Sequence, residues 1–369
     1  MNDTNRKISS TGLLRYLLLL IFLPVGLPLA AFGVLPDSIQ AQKLVLKSEC
    51  SGPVVAWDHA DVSSSANRSG FETGQLVKLN GVYHLFVNEM FERAHRDMRI
   101  AYWTSPDAEH WTRKGLVLGS IPGRTAANPR SEVWVTAVEF NEDENAWNLF
   151  YVAYRAGDPA AGEIEGNDYA GRIWRAMSVV KGIDGIAGPY ADMGIVLEPG
   201  AESQPWEGQQ AVASFNPYLV GSTWFSIYDG HTHIPRGPWP SGMAWAPALN
   251  GPWARMPDGF NPLRIVDEFM ENAIVSRLKD GRYFMVFDSF GDREIGYSLS
   301  ADGIDWEPEH RVKVQAANTA WAEAGDHAMR TPLCAIEEDD GSFTVIYTAL
   351  TKHEGRSFYA IGKCTLAWE

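Results

Sequence analysis

The sequence predicts an all-β protein, a five-bladed β-propeller whose ring is closed by an N-terminal strand. Three observations predict it. One acid-headed hairpin layout occurs twice, short apolar runs broken by Gly, Asn or Asp turns follow one another from residue 69 to the end, and long helical patterns are scarce.

The organising stretch is MENAIVSRLKDGRYFMVFDS, Met270 to Ser289. An acid heads an apolar run (Ile274, Val275, Leu278), a Lys-Asp-Gly turn follows, and a run rich in aromatic and β-branched residues leaves from Tyr283. Asp-Gly suits the positive φ angles of a tight turn, and the flanking side chains suit a half-buried pleated surface, so a hairpin is expected. FETGQLVKLNGVYHLF, Phe71 to Phe86, repeats the layout around Asn80-Gly81. Glu72 stands nine residues before its turn glycine and Glu271 ten before its own, so the two acids occupy nearly one place in two copies of a unit. The second halves match as well: RIAYWTSPDAEHW pairs Ser105, Asp107 and Trp111 with Ser300, Asp302 and Trp306 of REIGYSLSADGIDW.

In chain order, LVLKSECSGPVVAWDHA from Leu44 is placed to complete a blade from the opposite terminus. Blade one spans about residues 69 to 120, blade two 130 to 199, blade three 209 to 262, blade four 268 to 314, and blade five runs from about 326. No Pro/Ser-rich or charge-run linker follows residue 70 to suggest a second domain.

Residues 1–33 read as a targeting segment: Arg6, Lys7 and Arg15 precede LLLLIFLPVGLPLAAF, and Ala31-Phe32-Gly33 fits a cleavage site. The alternative is an uncleaved anchor, against which Pro24, Gly26 and Pro28 interrupt the run. Residues 34–68 form a linker and the ring-closing strand, residues 69–369 the propeller with its catalytic site, and the body is expected to be secreted or periplasmic. A content of 14 Trp, 13 Tyr and 16 Phe, with 34 Gly and 21 Pro, fits such an exported β-protein. The formal charge of −15 argues against nucleic acid or an anionic membrane as partner and leaves a neutral ligand such as a carbohydrate open. Three cysteines are too few for a disulfide scaffold; Cys334 and Cys364 could be bridged, or buried as free thiols.

In a propeller the heads of the innermost strands converge on one face. Here those heads hold Glu72, Glu132 with Arg130, Gln209 and Gln210 running to Asn216, Glu271, and His327 with Arg330. Clustered carboxylates resist ionising together, so such a set implies a polar ligand or ion. Glycosidic cleavage uses it: one carboxylic acid protonates the leaving oxygen while an opposing carboxylate activates water or attacks the sugar. Glu271 is the candidate general acid, Glu72 its counterpart and Glu132 a third carboxylate, with Glu139 competing for that place. Arg330 is a candidate clamp for a sugar hydroxyl or carboxylate. Asp229 and His231, in YDGHTH, read as substrate-loop residues rather than zinc ligands. Trp134 and Trp206 lie near strand heads and suit sugar stacking, whereas Trp103, Trp111, Trp245 and Trp306 read as packing between blades.

From about residue 69 to the end the layout resembles the five-bladed propeller glycoside hydrolases of families 43, 32 and 117. In family 43 an acid heads the first inner strand, where FETGQLVKLNGVYHL has Glu72, and the general acid heads the fourth blade, where MENAIVSRLKDGRYF has Glu271. The family's fifth-blade Gly-His pattern, whose His helps hold a central calcium or water, is echoed by Asp326-His327. Two departures set the chain apart: Glu replaces the first-blade Asp, and SFNPYLV offers Asn216 where the family has a third-blade Asp. The resemblance implies an exported glycoside hydrolase of a separate branch, with no required cofactor beyond a structural calcium near His327. A non-catalytic propeller that binds carbohydrate or protein is the first alternative. A glycoside phosphorylase is the second; its phosphate would need Arg124, Arg130 and Arg330.

Overall fold

The computed structural model describes residues 43–56, 69–92, 97–121, 127–161, 169–231, 240–266, 269–289, 291–315, 320–325 and 329–369. The expected targeting segment and His327 lie outside them.

The described chain is all-β, laid down as successive antiparallel meanders. β1 (Leu44–Glu49) comes first. β2 (Gly70–Leu79), β3 (Val82–Glu92), β4 (Asp97–Ser105) and β5 (Thr112–Gly119) form a meander. Three separate four-stranded sheets follow: β6 (Glu132–Asn141), β7 (Ala146–Arg155), β8 (Tyr169–Ser178) and β9 (Tyr190–Leu197); then β10 (Ala211–Val220), β11 (Thr223–His231), β12 (Ser241–Ala246) and β13 (Ala254–Arg255); then β14 (Met270–Arg277), β15 (Tyr283–Ser289), β16 (Glu294–Ser300) and β17 (His310–Lys313). β18 (Met329–Glu337), β19 (Phe343–His353) and β20 (Arg356–Trp368) end the chain.

The N-terminal segment does join the last strands. β1 runs antiparallel to β20, with Leu44 opposite Trp368 and Glu49 opposite Cys364. A parallel bridge between Gly70 and Tyr359 merges this group with the first meander into an eight-stranded sheet. Gly70 makes that bridge: its φ is +94°, and a Cβ there would lie 2.1 Å from the Tyr359 carbonyl oxygen.

The turns carry the chemistry the sequence anticipates, with one difference. Asn80 and Gly81 both take positive φ (52° and 77°), as a two-residue hairpin turn requires. At Lys279-Asp280-Gly281 only the glycine does so (φ 94°), because the loop is one residue longer and Leu278 pairs with Arg282 across it. The matched Ser-x-Asp turns are the same device twice. Asp107 Oδ1 accepts from the Glu109 and His110 amides, and Asp302 Oδ1 from the Ile304 and Asp305 amides.

Packing lies between the sheets. Five apolar clusters separate successive meanders: Trp103 and Phe71 against Phe358, Tyr151 against Phe86, Phe150 against Phe215, Tyr218 against Met285, and Phe284 against Phe343. Trp103 and Trp111 are buried there as expected and Trp306 packs at the edge of its cluster, whereas Trp245 is 40% exposed. The first strands are neighbours in the order β2, β6, β10, β14, β18 and back to β2. All three cysteines are free thiols, with Cys334 and Cys364 buried.

Candidate functional site

Every first strand is bulged just past its head: between Phe71 and Gly74, Val135 and Ala137, Ala213 and Asn216, Glu271 and Ile274, and Met329 and Thr331. A bulge inserts a residue and re-aims its side chain. Ser214 and Asn272 accordingly sit at φ 51° and 54°. The result is one small cavity lined by Thr73, Thr136, Ser214, Asn272 and Thr331, one polar residue from each of the five strands. Its polar side chains are neutral hydroxyls and an amide; of the oxygens that Ca²⁺ takes they offer the Asn272 side-chain carbonyl and no carboxylate.

Beside this cavity, residues distant in sequence meet on one guanidinium. Arg330, on β18, donates from Nε to Glu72 Oε1 at 2.8 Å, and from Nη1 to Glu271 Oε2 at 3.0 Å and Asp288 Oδ2 at 2.9 Å. Strands β2, β14, β15 and β18 thus each supply one member. Asp288 arrives by sheet register, as the direct cross-strand partner of Glu271.

The electrostatics follow from burial and crowding. Burial pushes the Asp288 carboxyl well above the ordinary range; the Arg330 charge opposes this, and the Glu271 and Glu72 charges reinforce it. Arg330 is held well above its usual value: burial works against its charge, but Glu271, Glu72 and Asp288 outweigh it. Asp229 is also pushed well up by burial, opposed by the Ser214 and Ser241 hydroxyls and reinforced by Glu271. Glu271 therefore lies near two carboxyls, Asp229 and Asp288, that burial pushes up.

Asp229 and His231 are not loop residues. They end β11, 1% and 2% exposed, because the strand runs on through YDGH. Asp229 accepts from Ser241 Oγ at 2.5 Å and forms part of the wall behind Glu271. Glu132 heads β6 and is 2% exposed, with Tyr154 opposite, and is not among the carboxylates on Arg330. Glu139, at the far end of β6, is pushed up to about 7 by burial and contacts Gln75.

Other expected ligand contacts are engaged in structure. Arg130 pairs with Asp192, contacts the Tyr151 hydroxyl and lies over the Trp174 ring. Asn216 is fully buried, and its Oδ1 accepts from the Val275 amide at 2.9 Å, tying β10 to β14. Gln75 does the same from β2 to the Val138 amide at 2.6 Å. Trp134 packs between two apolar clusters, and Trp206 donates to Gln204 with its ring against Tyr228. Gln210 is half-buried just before β10. Among the described residues no group of three or more His, Cys, Asp and Glu is placed to hold a metal ion.

Asp288 is the member that reading the strand heads misses. A signal existed: Glu89, Asp229 and Asp288 each place an acid near the end of a second strand, after an aromatic or β-branched run.

No protein-family model matches this chain, and no curated protein does. Solved structures do. A family 117 glycoside hydrolase from the marine bacterium Zobellia galactanivorans superposes with a TM-score of 0.57 at 14% identity, over 88% of this chain and 90% of that one. A second glycoside hydrolase gives 0.61 at 15%, over 87% and 92%. A candidate exo-β-1,3-galactanase from Bifidobacterium bifidum gives 0.53 at 13%, over 88% and 96%. At such identities the likeness establishes a shared fold with glycoside hydrolases of this type and leaves activity to be argued from the site.

Proposed function

We propose that this chain is an exported glycoside hydrolase on a five-bladed propeller closed by β1, with Glu271 as general acid and Glu72 as its counterpart. The observation that carries the reading is the meeting of Glu72 and Glu271 on Arg330 beside a cavity lined from five strands. The cyclic order of first strands and the five intersheet clusters support the ring, and the fold likeness to glycoside hydrolases supports the reaction class. A carbohydrate is the expected partner. Glu271, beside the buried Asp229 and Asp288, sits where a proton for a leaving oxygen can be held; Glu72 faces it across the guanidinium and would activate water or attack the anomeric carbon. No step is assigned to a metal, and Glu132 is left as a buried acid beside the site.

The test is leaving-group dependence. Glu271→Gln should lose hydrolysis of glycosides with poor leaving groups and keep it for dinitrophenyl glycosides, whose departure needs no proton. Glu72→Gln should lose both. Equal activity of Glu271→Gln and wild type on a poor-leaving-group substrate refutes the assignment.

One observation favours a second reading. Arg330 holds both acids in ion pairs, as a structural tie across strands would, and a propeller that binds carbohydrate without cleaving it fits that. Binding without turnover across one glycan panel would select it. A phosphorylase has less support: Arg130 and Arg330 already hold carboxylates, and Arg124 lies outside the described residues.

A further inference from the structure

Three carboxyl groups contact one guanidinium, so with all three ionised the cluster would hold two negative charges without a counterpart. Like charges this close do not all persist, and protons settle where water is least able to solvate the anion. Side-chain exposure ranks the three: 13% for Glu271, 11% for Glu72 and 1% for Asp288. Asp288 also faces Glu271 directly across the sheet and shares with it a single nitrogen, Nη1 of Arg330. Among the described residues, the other charged or titratable groups near it are Glu72 on β2 and Glu294 on β16, which lines the same recess; Asp229 on β11 stands behind Glu271, and Tyr359 on β20 lies near Arg330.

We propose that Asp288 is a positioning residue: a neutral carboxyl that accepts from Arg330, holds the guanidinium between Glu72 and Glu271, and so leaves Glu271 as the group that exchanges a proton with substrate. The guanidinium charge then balances Glu72. The proposal rests on the glycoside-hydrolase reading for its activity readout and on the cluster alone for its charge readout.

Asn at position 288 copies a protonated Asp in shape and charge, and keeps an acceptor oxygen for Arg330; Ala keeps neither. D288N is expected to stay within about threefold of wild-type kcat/KM, a difference of well under one tenfold step in barrier terms. D288A is expected to lose about tenfold or more in kcat with little change in KM, as for a misplaced catalytic group. The charge readout is Tm against pH. A carboxyl whose folded pKa lies above its unfolded value binds its proton more tightly when folded, so its contribution is full below about pH 4 and declines as pH rises toward the folded value. D288N removes that decline, so its Tm should gain on wild type progressively above about pH 4. A D288N that loses as much activity as D288A, or whose Tm differs from wild type by the same amount at every pH, overturns the proposal. If wild type cleaves no glycoside, the functional reading falls, while the Tm comparison still decides for or against a neutral Asp288.

Discussion

Replacing Arg330 by Met removes the charge that holds the site together and keeps most of the side-chain length. Glu72, Glu271 and Asp288 then face one another with no cation between them. Breaking a buried ion pair from one side costs about 3–5 kcal/mol. Arg330 is 21% exposed, and solvent reaches Glu72 and Glu271 as well, so the lower end, about 3 kcal/mol, applies here. For a chain of this size that lowers Tm by about 5 °C or more. The loss must depend on pH. In wild type the guanidinium stays charged throughout the ordinary range and adds no slope of its own. In the variant no guanidinium offsets the mutual repulsion of the three carboxyls, so the folded state binds still more protons relative to the unfolded one than in wild type, where Asp288 alone is pushed up, and stability falls more steeply as pH rises above about 4. The Tm gap should therefore be small near pH 4.5 and widest near pH 8, measured by calorimetry or circular dichroism. Arg330→Lys keeps a charge but lacks the forked donors, and should fall between the two. A gap of the same size at both pH values, or none at either, would refute the electrostatic account of the cluster.

Two further perturbations test the scaffold. Asn216→Ala removes the buried acceptor of the Val275 amide and should cost about 1–3 kcal/mol by denaturant unfolding, without touching Arg330. Gly70→Ala places a Cβ 2.1 Å from the Tyr359 oxygen at a φ of +94°, so the Gly70–Tyr359 bridge must part. Hydrogen exchange of the Tyr359 amide, which donates to Ser69, should accelerate in that variant while the β10–β13 sheet is unchanged.

Much of the architecture is legible in the chain because it is local. The Asn80-Gly81 and Asp280-Gly281 turns, the alternating runs beside them and the Ser-x-Asp turns at Ser105 and Ser300 depend only on neighbours along the backbone, and they repeat. Placing Glu72, Glu271 and Arg330 at strand heads follows from that repetition. Other site residues read differently in isolation: in the sequence Asn216 reads as a ligand contact, whereas it is a tie between strands, and Arg130 pairs with Asp192.

What the amino-acid order by itself determined is the repeat: where strands start and stop, which turns join them, and that acids head the first and fourth units. What only the tertiary structure decided is register and convergence. Counting back from the turn, with Arg277 opposite Tyr283 and Ile274 opposite Val286, puts Asp288 across from Asn272; the bulge shifts it by one residue onto Glu271. A bulge adds one residue to a strand against its partner and leaves little mark in composition beyond an asparagine that tolerates positive φ. The shared guanidinium is likewise a property of packing, since its partners lie 258, 59 and 42 residues away along the chain.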